Sequence, residues 1–211
     1  MLWTMEKNSY SFIHARDLLL SIRDWPRLIK QSYEYPHPLF PFPFPTTIPY
    51  SLSEVISPHT NPTKSRVLTT RHLKPGAYLE LQCIYPLLRC DDGSTPPDSA
   101  LMQFSRYALE ASRLMGTPLA CCDLYTSQMI DAGFEDVVEH RIKLPSGPWP
   151  KEKRLKLIGA FENDNLLRGL SGMSYRMFSK AFGWTAMQTE EFLVDVRRDL
   201  QNLRYHTYWD L

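Results

Sequence analysis

The sequence has no glycine in its first 75 residues; all nine glycines lie at or after Gly76. A glycine-rich loop after an early strand lets backbone approach a phosphate or nucleoside closely, and the N-terminal third has none. No apolar run reaches the ~20 residues needed to span a bilayer. Met1 to Tyr10 lacks the basic and apolar regions of a secretory signal. Neither sign of charge dominates: 24 Lys and Arg against 23 Asp and Glu leave a net +1. That excludes a strongly basic surface and argues against nucleic acid as a partner. Cysteine is sparse, and Cys83, Cys90, Cys121 and Cys122 follow no zinc-ligand spacing, so no metal is expected. They read as reduced thiols of an intracellular protein. Ser/His/Asp signatures, HExxH, a Walker loop and glycosidase-like carboxylate pairs are also missing.

What remains is an ordinary globular composition, 43% hydrophobic and 22% charged, over 211 residues. Ser9 to Ala15 (SYSFIHA) reads as a short buried strand. Asp17 to Ile22 reads as one helical turn. Asp24 before Trp25-Pro26 predicts a helix start, with Leu28, Ile29 and Tyr33 facing inward as far as Glu34. His72 begins a second ordered stretch. Leu73-Lys74-Pro75-Gly76 predicts a turn and Ala77 to Cys83 a strand. Asp91 to Pro97 reads as a loop. Asp98 is placed as N-cap of a helix over Ser99 to Leu114. A short helix from Asp123 to Ala132 stops at Gly133, a residue favoured just past a helix end. Phe134 to Leu144 predicts one strand. Lys151 to Phe182 predicts helix interrupted near Gly169 to Gly172. Thr185 with Gln188 predicts a capping box for the last helix, and Tyr205 to Trp209 a strand start. The alternation predicts α/β architecture with a mainly parallel sheet.

Residues 35–71 differ in kind. Eight of the 17 prolines fall between Pro36 and Pro62, including PHPLFPFPFP. Such a segment cannot be helical and is a poor strand, so polyproline II or disorder is expected. A recognition ligand for a proline-binding domain is the functional alternative to an unstructured insertion.

FIHARDLLLSIRDWPRLIKQSYE followed by HLKPGAYLELQ resembles the fungal secondary-metabolism methyltransferase-like family. So do AGFEDVVEHRIKLPSGPWPKEKRLKLIG and GLSGMSYRMFSKAFGWTAMQTEEFLVDVRRDLQNLRYHTYW. That family includes the velvet-complex regulator and many class I S-adenosylmethionine methyltransferases. The resemblance implies that Tyr10–Ala15, Ala77–Gln82 and Phe134–Lys143 are the fourth, fifth and sixth strands of a class I, Rossmann-like sheet. The donor-binding loop and ribose-binding carboxylate would precede Met1. On this reading the chain is a partial class I fold lacking its first three strands, with an added C-terminal helical region. The last antiparallel strand would also be missing. Two positions depart from the family pattern: Ser11 stands where an acidic residue is usual, and Gly76-Ala77 replaces a double glycine.

Relatives run directly from the YE of the first helix to HLKPG. The domain is therefore read as 1–34 plus 72–211, with 35–71 inserted. Its composition suits a retained intron. A GT donor is permitted by the Glu34-Tyr35 codons and an AG acceptor by an Arg71 codon. Splicing there would restore Glu34-His72, and a transcript spanning the region decides the matter.

The resemblance places candidate residues at strand carboxyl ends, where open α/β sheets bind ligands. His14 and Arg16 are candidates for the cofactor, S-adenosylmethionine. Glu80, Gln82, His206 and Tyr208 are candidates for a substrate pocket. No catalytic residue is assigned, because methyl transfer needs mainly in-line positioning and only sometimes a base. The expected role is auxiliary, in fungal secondary-metabolite biosynthesis, since the donor-binding half is absent from the sequence. The alternatives are an active small-molecule methyltransferase, a fragment gene model of one, or a nuclear regulator. Expected partners are a small pathway intermediate or a pathway enzyme, with no membrane and with self-association through the open sheet edge. The expected location is cytoplasmic, with the nucleus as alternative.

Overall fold

A computed structural model describes residues 8–33, the backbone of 54–57, and residues 72–211. These form two compact units. The first comprises 8–18, 24–33, 54–57, 72–83 and 121–140; the second comprises 19–23, 84–120 and 141–211.

The first unit is a mixed sheet with two helices. Strand β1 (Tyr10–Arg16) pairs in parallel with β3 (Leu73–Gln82). Strand β2 (Glu54–Ser57) runs antiparallel to β3 and to β5 (Glu135–Val138), giving the order β1-β3-β2-β5. β3 and β5 are therefore parallel to each other. In β3, Ala77, Leu79, Glu80 and Leu81 are all buried, as expected of an inner strand covered on both faces.

Helix α1 (Trp25–Tyr33) starts where Asp24 Oδ1 accepts the Arg27 amide at 3.0 Å. It buries Trp25, Ile29 and Ser32. Helix α3 (Tyr125–Ala132) ends at Gly133, whose φ of 104° is left-handed. A Cβ at Gly133 would also lie 2.6 Å from the Tyr33 hydroxyl, so two constraints select glycine there. The Trp25–Tyr125 and Tyr33–Phe134 ring pairs, each with centroids 4.7 Å apart, join α1 to the residues around α3.

The second unit packs three helices with an antiparallel sheet, β4-β7-β6: β4 (Tyr85–Arg89), β7 (Tyr208–Asp210) and β6 (Lys143–Pro145). The helices are α2 (Ala100–Leu114), α4 (Lys153–Phe182) and α5 (Ala186–Leu200). Phe178, with no exposed surface, is ringed by Phe104, Tyr107, Phe182, Trp184 and Phe192 at centroid distances from 5.2 to 6.4 Å. The capping box at Thr185 and Gln188 forms as read.

Several expectations are corrected. β1 is exposed along most of its length, because β3 is its one neighbour among the described residues. Among the described residues one parallel pairing stands beside four antiparallel ones, so the sheets there are not mainly parallel. Asp17 to Ile22 forms turns and a bend rather than helix. Leu73 to Gly76 is not a chain-reversing turn; it lies within β3. The pairing steps from Tyr10↔Leu73 to Phe12↔Tyr78, and the excess residues bulge at Gly76 with φ 74°.

The expected strand over Phe134 to Leu144 is two strands, β5 and β6, in different sheets. β4 is unexpected because Pro86 weakens a strand reading. Ser99, not Asp98, caps α2. Helix α4 continues through Gly169 and Gly172. Each costs about 1 kcal/mol against alanine. Burial of Leu166, Leu170, Met177 and Phe178 contributes about 1.5–3 kcal/mol per side chain and outweighs that cost.

The sequence reads 35–71 as an insertion without regular structure, and most of it lies outside the described residues. The backbone of Glu54–Ser57 nevertheless forms β2. It sits in the proline-free stretch between Pro49 and Pro58 and centres on the β-branched pair Val55-Ile56.

Candidate functional site

In the first unit, the parallel register sets His14 opposite Glu80 and Arg16 opposite Gln82. His14 Nδ1 lies 3.1 Å from Glu80 Oε2; the carboxylate is buried and the imidazole half exposed. Phe12 stacks on His14 with centroids 6.2 Å apart. Arg16 is exposed and meets Asp17 at 3.3 Å, while the Asp17 amide donates to the Gln82 carbonyl at 3.0 Å.

In the second unit, a polar cluster forms where the loop after β4 meets the approach to β7. Asp92 and Gly93 make a tight turn: the Ser94 amide donates to Asp92 Oδ1 at 3.0 Å, and Gly93 takes φ 68°. This turn presents Asp92 Oδ2 to His206 Nδ1 at 2.5 Å. Hydrogen bonds from Ser94 first, then His206, hold the Asp92 carboxyl well below the usual carboxylate range. Cys90 Sγ donates to the same carboxylate at 3.3 Å, and the His206 amide donates to Ser94 Oγ at 3.0 Å.

Trp149 stacks on the His206 ring, with centroids 5.0 Å apart. Its indole N–H donates to the Thr207 carbonyl at 2.9 Å, which fixes the orientation of the ring. Alongside, Tyr208 donates to Asp91 Oδ1 at 2.7 Å and Lys143 pairs with Asp91. The Lys143 ammonium lies 4.6 Å from the Tyr208 ring centroid. Lys143 first, then Tyr208, lowers the Asp91 carboxyl.

The scaffold beneath is well determined. Ser146 Oγ donates to the buried Thr207 carbonyl at 2.9 Å. Asn163 Nδ2 donates to the carbonyls of Ser146 and Leu200, at 3.1 and 2.8 Å. A pocket lined by Leu101, Trp149, Leu203, Tyr205 and Thr207 encloses about 10 Å³, room for one water. It is too small for an organic ligand. Asp92 engages Nδ1 of His206, which leaves Nε2 as the second hydrogen-bonding nitrogen of the ring.

The six candidate residues thus divide. His14, Arg16, Glu80 and Gln82 share β1 and β3, whereas His206 and Tyr208 lie in the other unit. Sequence reading missed Asp91, Asp92, Lys143 and Trp149. The Asp-Asp-Gly-Ser turn signature was visible, but its partners 114 residues away were not.

The two residues read as candidates for S-adenosylmethionine are each engaged by a neighbouring carboxylate, His14 by Glu80 and Arg16 by Asp17. Among the described residues no group of three or more His, Cys, Asp or Glu is placed to hold a metal ion. No helix among them is long and apolar enough to cross a membrane.

Fungal proteins are among those similar to the chain. "Methyltransferase pytC" of Aspergillus terreus is 27% identical over 98% of this chain and 52% of its own length. "Probable methyltransferase tdiE" of Emericella nidulans is 31% identical over 65% of this chain and 43% of its own length. "Secondary metabolism regulator LAE1" of Cochliobolus heterostrophus is 27% identical over 98% of this chain and 56% of its own length. The chain spans about half the length of these relatives. No family model and no solved structure matches it. The chain is similar to fungal methyltransferase-like proteins of secondary metabolism.

Proposed function

We propose, from that similarity, that this is a methyltransferase-like protein of a fungal secondary-metabolite pathway with an auxiliary role. It binds a hydroxylated, largely apolar pathway intermediate on the Trp149–His206 face and delivers it to a pathway enzyme. The observation that carries this reading is the Asp92–His206 pair beneath a stacked indole. Asp92 holds Nδ1, Trp149 supplies the apolar surface, and His206 Nε2 hydrogen-bonds the hydroxyl. The partial class I sheet belongs to the same proposal: parallel β1 and β3 correspond to its fourth and fifth strands. Self-association through the outer edge of β1 and a cytoplasmic location are further parts of it.

Calorimetry on the purified chain tests the reading. Titrated S-adenosylmethionine is expected to give no micromolar binding. A panel of hydroxylated aromatic metabolites is expected to bind, with at least tenfold loss in His206→Ala. Turnover of labelled donor into methylated product by the chain alone would overturn the auxiliary role. It would select the active-enzyme reading, which the relatives named as methyltransferases support. The relatives named as secondary metabolism regulators support a third reading, a nuclear regulator. Nuclear retention of a tagged chain, with no metabolite binding, would select that one.

A further inference from the structure

The outward side of α4 takes no part in the His206 face. Its inward side buries Gly159, Leu166 and Leu170. Lys153, Leu157, Ala160, Phe161 and Asp164 recur at intervals of three and four residues and are all exposed except for what the helix itself covers, so they form one outward stripe. Leu157 and Phe161, one turn apart in that stripe, are 58% and 68% exposed. Adjoining exposed apolar side chains with a charged rim mark a contact surface. The charges around the pair are separated by sign. Lys151, Lys153, Arg154 and Lys156 precede it, with Glu152 among them. The Glu152 carboxylate is committed to the helix cap, accepting the amides of Arg154 and Leu155 at 3.0 and 3.3 Å. Beyond the pair stand Glu162 and Asp164. Arg168 Nε holds the Asp164 carboxylate at 2.8 Å and leaves it exposed, so that acid is oriented yet reachable. A stripe that runs basic, apolar, acidic along a helix is complementary to its own reverse.

We infer that this stripe is the interface for a second copy of the chain, with the two α4 helices antiparallel about a twofold axis level with Ile158 and Gly159. In that register Lys153 of each copy comes level with Asp164 of the other. Leu157 and Phe161 of both copies meet between these charge pairs, and the small Ala160 side chain lets the helices approach. A parallel pairing would set Lys153 against Lys153 and Asp164 against Asp164, which like-charge repulsion disfavours. The twofold arrangement is isologous, so each favourable pair occurs twice. From Lys153 to Asp164 the stripe is about 16 Å long. The interface is therefore small, and the dimer is weak and dependent on concentration. It uses neither the His206 face nor the edge of β1, and its failure would leave both of those readings standing.

Sedimentation equilibrium on the purified full chain, from about 5 to 500 µM to suit a small interface, is the test. The wild type is expected to dimerise reversibly. Phe161→Asp should weaken the dimer about tenfold or more. It should not lower the melting temperature of the dilute, monomeric chain, because the side chain is exposed. Lys153→Glu and Asp164→Lys, each alone, should weaken the dimer similarly, since each sets like charges across the twofold axis. Mixed in equal amounts, these two variants should form a heterodimer with the affinity of the wild type, because opposite charges then meet at both contacts. Lys153 and Asp164 lie about 16 Å apart along one helix, so only contact between copies produces that rescue. A wild type that stays monomeric throughout overturns the proposal. So does a dimer that survives Phe161→Asp, as one built on the β1 edge would, or a mixture of the two charge variants that stays monomeric.

Discussion

Among the described residues each unit holds a histidine–carboxylate pair, and these two pairs are built by opposite means. His14 and Glu80 face each other because two parallel strands align them, and Glu80 is buried. His206 and Asp92 meet because a turn and a stacked indole bring them together, and Asp92 is half exposed. The first geometry is a property of backbone register and survives as long as the sheet does. The second depends on a handful of side-chain hydrogen bonds on a rigid scaffold. The two imidazoles are similarly exposed, so the pairs differ in the carboxylate: buried Glu80 carries structure, whereas half-exposed Asp92 lies at the surface.

Removing the scaffold under the first pair should have the largest effect. Leu79, adjacent to Glu80 and wholly buried, contributes to the strand core. Leu79→Ala is expected to cost about 2–5 kcal/mol, read from urea denaturation. Under the second pair the equivalent lever is Gly159. A Cβ there would lie 2.1 Å from the Gly147 carbonyl oxygen, in the loop that carries Trp149. Gly159→Ala is expected to cost about 1–3 kcal/mol and to weaken metabolite binding on the His206 face. Gly172→Ala is the control on the same helix. Nothing lies within 4 Å of its added Cβ, so it should stabilise by up to about 1 kcal/mol.

Breaking the pairs themselves should separate them further. Glu80→Ala removes a buried acceptor and is expected to cost about 1–3 kcal/mol. Asp92→Asn should cost less stability than Glu80→Ala, because exposed pairs contribute little, yet reduce metabolite affinity at least tenfold. A larger stability loss at Asp92 than at Glu80 would reverse the comparison.

The smallest effect is on pH dependence. In the second unit Arg197 first, then Ser171 and Tyr175, lower the Glu190 carboxyl to about 2. A depressed folded-state pKa contributes stability above the unfolded value, 4.5. That stability is lost as pH falls from there towards 2. The melting difference between wild type and Glu190→Gln should therefore be present at neutral pH and shrink near pH 3.

Local signals were legible wherever a few neighbouring residues decide the outcome. Asp24 at the start of α1, Gly133 at the end of α3 and the Thr185–Gln188 box all form as read. The failures share a cause. Gly169 and Gly172 carry a local penalty that burial against α2 and α5 overcomes. Lys74-Pro75-Gly76 looks like a turn, but its neighbour β1 accommodates it as a bulge. The candidates His14 and Glu80 were legible as strand-end residues, though not as partners of each other. Asp92 was legible only as part of a loop.

The sequence by itself determined the caps, the helix stops, the resemblance to fungal methyltransferase-like proteins and the lack of an early glycine-rich loop. These depend on residue types within a turn or two, or on motif order along the chain. Only the tertiary structure decided which carboxylate meets which histidine, and that Phe134 to Leu144 serves two sheets. Those contacts join residues tens of positions apart, and their free energy comes from burial and alignment that no local window contains.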